Sequence, residues 1–99
     1  MIRHLVMWNC KEGFSQEENR DNLLKIKNGL EGLKGKIDEI AGLDVYIDLM
    51  SGSTFDIFLD SRFKSKEDMD VYAKHPLHQK EVSFINSVLT GRKCVDLEF

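Results

Sequence analysis

Four short segments of alternating apolar residues, separated by two helical stretches, predict an α+β fold of order β-α-β-β-α-β. Three observations carry this. Apolar residues recur every second position at 2–10, 43–50, 54–63 and 92–99, they recur at helical spacing between the first and second and between the third and fourth of these segments, and the connections are short. Two split βαβ units with right-handed crossovers give a four-stranded antiparallel sheet with helices on one face, the ferredoxin-like arrangement. Residues 1–99 are expected to form a single domain with one thin core, since a chain of this size buries roughly 60 to 70% of its unfolded surface.

The first strand has two apolar sides: Ile2, Val6, Trp8 and Cys10 lie with His4 on one, Leu5 and Met7 on the other. Such a strand needs cover on both faces. Gly13 marks a turn, and Ser15 with Glu18 three positions later is a capping-box pattern that starts a helix. Leu23, Ile26, Leu30, Leu33 and Ile37 form its buried stripe, while Gly29, Gly32 and Gly35 predict last turns that are loose or closely packed. Leu43, Val45, Ile47 and Leu49 form the apolar side of the second strand, and Ser51-Gly52-Ser53 turns the chain into the third, where Phe55, Ile57 and Leu59 share a side. Ser65 and Asp68 cap the next helix, which runs to a break at Pro76. A further helix from Pro76 carries His78, Val82, Ile85 and Leu89, Gly91 is expected to end it, and residues 92–99 form the last strand. Asp44, Asp48, Asp56 and Asp60 alternate on strands and are expected at solvent or at a barrel rim.

With helices on one face only, the opposite face is bare, and an apolar patch of that size marks an interface. Sheet-to-sheet homodimerisation covers it. A composition of 41% apolar and 31% charged residues with a net charge of -3 describes a soluble globular protein without the basic field that attracts nucleic acid. Two cysteines near opposite ends, Cys10 and Cys94, suit a reducing cytoplasm, and no apolar run is long enough to enter a membrane.

Chemistry-bearing residues concentrate in Tyr72-Ala73-Lys74-His75-Pro76-Leu77-His78, which holds two of the three histidines and the only proline. Proline removes a helical hydrogen bond and pushes His75 out of helical geometry, so these side chains sit at a helix break. The opening Ile2-Arg3-His4-Leu5-Val6, the Phe55-Asp56 pair, and Tyr72 with His75-Pro76-Leu77-His78 together resemble the stress-responsive A/B barrel domain family, Dabb, over essentially the whole chain. The resemblance implies a dimeric α/β barrel in which two sheets face each other with helices outside. It also implies, from plant polyketide cyclases of the family, a catalytic histidine and tyrosine at His78 and Tyr72, with His4 lining the pocket. Those cyclases place a further histidine on the third strand, where this chain has Ile57.

Residue chemistry supports the same roles. His78 is a candidate general base, since imidazole titrates near neutral pH, and Tyr72 a hydrogen-bond donor to a developing oxyanion. His4 is a positioning group and Trp8 an apolar wall for substrate. The expected ligand is a small hydrophobic carbonyl compound, and the expected reaction a polyketide-like closure with no cofactor. Two alternatives stand beside it: a non-catalytic stress-associated dimer in which these side chains close the core and cap the helix break, and a cofactor-free monooxygenase. His75 is read as the cap of the helix that follows. The three histidines are not read as a metal site, because His75 and His78 point apart and no carboxylate pair completes a ligand set.

Overall fold

Hydrogen bonds set the element boundaries in the computed structural model, which describes residues 1–99. Strand β1 spans Ile2–Cys10. Helix α1, Gln16–Glu31, begins at a complete capping box: the Ser15 hydroxyl accepts from the Glu18 N–H at 3.1 Å and the Glu18 carboxylate accepts from the Ser15 N–H at 2.9 Å. Its end tightens into a 3-10 turn over Gly32–Gly35. At Gly29 α1 packs so close that an added Cβ would run into the Glu81 carboxylate. Strands β2, Ile40–Tyr46, and β3, Ile57–Phe63, follow, then α2, Lys66–Lys74, α3, Pro76–Val88, and β4, Leu89–Glu98.

The sheet is antiparallel throughout, in the order β2-β3-β1-β4. This is the ferredoxin-like topology expected from the element order. Val6, Trp8, Val45, Ile57, Leu59 and Phe63 face the helices and are buried against Ile26, Leu30, Tyr72 and Ile85. Each large apolar side chain buried there contributes about 1.5–3 kcal/mol relative to exposure. The inward face of β1 is thus the one carrying Val6 and Trp8, and the outward face is the one carrying Leu5 and Met7.

Boundaries of three strands differ from the sequence reading. The apolar alternation runs to Met50, yet β2 stops at Tyr46, whose partner is Phe58 near the start of β3, so Ile47 and Leu49 have no strand opposite them. β3 starts at Ile57 rather than at 54, and Asp56 just before it closes the β1–β3 pairing: its N–H donates to the Trp8 carbonyl at 3.0 Å, and its carboxylate, in place of a main-chain carbonyl, accepts from the Cys10 N–H at 2.7 Å. β4 starts directly after α3, and Gly91 lies inside it. With φ of 67°, Gly91 supplies the left-handed residue of a bulge where Met7 pairs with Lys93 but Asn9 with Thr90.

The outward face carries Tyr46, Phe58, Met7, Leu5, Val95 and Leu97, with no element of the chain packed over it. Asp60 sits among them and is buried, contrary to its expected place at solvent or a rim. Arg3 holds its carboxylate at 2.8 Å and Arg62 at 3.3 Å, and Arg62 also reaches Asp44 at 2.9 Å. The Arg3 hydrogen bond, outweighing burial, keeps the Asp60 carboxyl below the usual carboxylate range.

At the β2 edge, Lys27 and Glu31 from α1 satisfy the backbone of one residue. Lys27 Nζ donates to the Val45 carbonyl at 2.6 Å, the Glu31 carboxylate accepts from the Val45 N–H at 3.0 Å, and the two side chains meet at 2.9 Å.

Candidate functional site

The helix break creates the site. Pro76 has no N–H to donate, and the Leu77 N–H that would continue the helical ladder to Ala73 is taken at 3.1 Å by His75 Nδ1. His75 is therefore the N-cap of α3. The Ala73 carbonyl is left for side chains, and His78 Nδ1 meets it at 3.1 Å, as does the Gln79 amide at 2.5 Å. A carbonyl only accepts, so in the neutral ring Nδ1 carries the proton and Nε2 keeps its lone pair. Proline, two residues upstream, thus fixes the tautomer of His78.

His78 lies against Tyr72, ring centroids 4.2 Å apart, and Tyr72 in turn lies 5.1 Å from Phe63. The Tyr72 hydroxyl is buried with no hydrogen-bond partner. Most buried polar groups are paired, so an orphan of this kind marks a place prepared for something else. Burial, with the Glu81 charge added, raises the Tyr72 pKa, so the hydroxyl stays protonated and able to donate. His78 moves the other way. Burial chiefly lowers its pKa below the ordinary imidazole value, against the opposing pull of the Ala73 carbonyl, and the Arg92 charge adds to the lowering.

Both side chains line a cavity of about 520 Å³ between the sheet and the α2–α3 break. That is within the range typical of small-molecule sites. His4 and Trp8 line it from β1, Leu59 from β3 and Met69 from α2. All four site residues named from the sequence therefore meet in one cavity. His4 Nδ1 is paired with the Asp96 carboxylate, which stands directly opposite it in the β1–β4 register.

Sequence reasoning missed Asp96, Arg92, Gln79 and Asn86, which also line the cavity. Asp96 becomes visible only once the antiparallel register of β1 and β4 is known. Gln79 follows from the helix break, since it is one of two side chains within reach of the freed carbonyl. Cys10, half-buried on β1 and outside the cavity lining, is held as the thiol: burial chiefly, with the Asp56 charge, pushes it up to about 11.

A definite pH effect follows from His78. Because its folded pKa is depressed, the unfolded chain binds the proton more readily, so the stability from neutral His78 is complete above about 6.5 and is lost as pH falls through that value toward the folded one. The melting temperature of the wild type is expected to drop more than that of His78→Gln between about pH 7.5 and pH 5.5. Parallel melting curves over that window would contradict the burial of the imidazole.

An α+β sandwich of one antiparallel sheet and three helices, with a polar-tipped cavity at a helix break, defines the class of protein. The particular family follows from comparison with known sequences: the Stress responsive A/B Barrel Domain matches residues 2–99, and the chain belongs to that family. No curated protein matches it. Among solved structures, a dimeric protein of ferredoxin-like fold from Bacteroides fragilis is similar at 30% identity over 99% of this chain and 95% of that one, with a TM-score of 0.92. A dimeric ferredoxin-like protein from Thermobifida fusca is similar at 19% identity over 99% and 90%, TM-score 0.84. A hydroxynitrile lyase from Passiflora edulis shares the fold at 17% identity over 97% and 90%, TM-score 0.74. No helix of the chain is long and apolar enough to cross a membrane.

Proposed function

We propose that the chain is a homodimeric, cofactor-free catalyst of carbon-acid chemistry on a small hydrophobic carbonyl compound, with a polyketide-like cyclisation as the reaction class. His78 Nε2 takes a proton from the carbon next to the carbonyl, the electron pair moves onto the carbonyl oxygen, and the Tyr72 hydroxyl donates to the resulting enolate. His4, held by Asp96, positions the substrate, and Trp8 forms an apolar wall. The observation that carries this reading is the unpartnered, buried Tyr72 hydroxyl beside a tautomer-fixed His78 on the wall of one cavity. The non-catalytic alternative uses the same side chains as core closure, and a donor left without an acceptor argues against it.

The dimer is formed by the outward sheet faces of two copies. Its support is the uncovered apolar face around Leu5, Met7 and Phe58, the neutralised Asp60 within it, and the dimeric state of the Bacteroides fragilis relative. Free Cys10 and Cys94 suit a cytoplasmic setting.

Hydrogen–deuterium exchange at the methyl group of acetophenone in heavy water tests the base chemistry without knowledge of the natural substrate. Exchange should run at least about a hundredfold faster than with imidazole at equal concentration, given the usual yield of a positioned general base. Rates equal to free imidazole would end the catalytic reading. Sedimentation tests the dimer: the wild type should run as two copies at micromolar concentration and Leu5→Lys as one, because a charge is then buried at the centre of the contact.

A further inference from the structure

We propose that Arg92 anchors a carboxylate on the ligand, so that the cavity selects a 3-oxo acid over a neutral ketone; this rests on the cavity being the ligand site. The β4 bulge places the residue. Lys93 stands opposite Met7 and so belongs to the outward face, while Gly91, in left-handed conformation, lets β4 carry one residue more than β1 before Thr90 meets Asn9. Arg92, inside this bulge, lines the cavity on the helix side of the sheet.

Its charge is not engaged by the protein. Arg3, Arg20 and Arg62 each hold a carboxylate at 2.6 to 2.9 Å, whereas Arg92 makes no ion pair and no hydrogen bond through its side chain. Asp96, the acid nearest to it on β4 and also in the cavity, is already taken by His4. Asp70 also lines the cavity from α2, exposed as Arg92 is, but its charge does not bear on His78, while that of Arg92 does. Beside His78 the cavity thus offers two donors without a protein partner, the buried Tyr72 hydroxyl and the exposed Arg92 guanidinium, and a ligand with an acceptor at each end engages both.

A 3-oxo acid meets that demand in one geometry. Its carbonyl oxygen accepts from Tyr72 and its carboxylate pairs with Arg92. The acidic methylene lies between the two groups, where His78 Nε2 takes its proton and the carbonyl oxygen receives the electron pair. A guanidinium is suited to this because its fork matches a carboxylate and it stays charged at every working pH.

Benzoylacetate and benzoylacetone, which differ in a carboxylate against an acetyl group, form the test pair. Trp8 is the only tryptophan and lines the cavity, so quenching of its fluorescence reads binding independently of turnover. Benzoylacetate should bind at least about tenfold more tightly than benzoylacetone at low ionic strength, with the ratio shrinking as salt screens the pair. Arg92→Gln should bring the ratio to about one, and Arg92→Lys should keep part of it. An equal affinity of the wild type for both probes, or an unchanged ratio in Arg92→Gln, would overturn the anchor while leaving the cavity as the site. Failure of both probes to bind would overturn the two readings together.

Discussion

His78→Ala is expected to remove acetophenone exchange almost entirely, a loss of about 10² to 10⁴ in rate, while the fold survives. Both halves of that result come from the geometry. Nε2 belongs to the imidazole that lies against Tyr72, whose hydroxyl is buried without a partner. The structural contribution of the ring is small, because the Ala73 carbonyl keeps its bond from Gln79 and the ring borders an existing cavity, so truncation opens no sealed void. One lost hydrogen bond costs about 1 kcal/mol, which for a domain of this size lowers the melting temperature by about 4–8 °C. Exchange rates by NMR and thermal melts on the same preparation check both. A melting temperature that falls by several times that amount, with activity lost in step, would make His78 a core residue first.

Tyr72→Phe is expected to move activity and stability in opposite directions. Removing a buried hydroxyl that has no partner relieves its desolvation penalty, so the variant should be more stable by about 1–3 kcal/mol, with the ring contacts to Phe63 and His78 retained. The same change takes away the donor to the enolate oxygen, and the loss of one such donor lowers a rate by about 10² to 10³. Denaturant titration and the exchange assay together decide it. A destabilised Tyr72→Phe would mean that the hydroxyl is satisfied in solution and that its isolation is no sign of a waiting ligand. Agreement on both counts would be the pattern of a residue kept for function at the expense of the fold.

The architecture was legible because periodicity is a local property. The Ser15–Glu18 box, the Leu23–Leu30 stripe and the Pro76 break all appear where their spacing predicts, and the two apolar sides of β1 correctly implied a sheet with one face left over. What failed were boundaries and partners that depend on a second strand. Ile47 and Leu49 continue the alternation of β2 but have nothing to pair with, and Gly91 reads as a helix stop until the bulge opposite Met7 and Asn9 gives it another role. Asp60 reads as a solvent residue by alternation alone, yet two arginines, one from the neighbouring strand and one two positions along its own, make its burial tolerable. For the same reason His4, Tyr72 and His78 could be named from the chain, while Asp96 and Arg92 could not. They belong to a strand whose register, not its composition, brings them to the cavity.

The pairing of Lys27 and Glu31 with Val45 bears on how this sheet behaves in a crowded solution. An outermost strand with free amides and carbonyls is a template on which other chains can grow, and aggregation commonly starts there. Here two side chains one helical turn apart occupy the donor and the acceptor that an incoming strand would need first, and their charges repel an apolar intruder. The free side of β2 is therefore blocked at Val45, which leaves β4 as the open edge of the sheet, and a strand added there would lie on the element that brings Arg92 and Asp96 to the cavity.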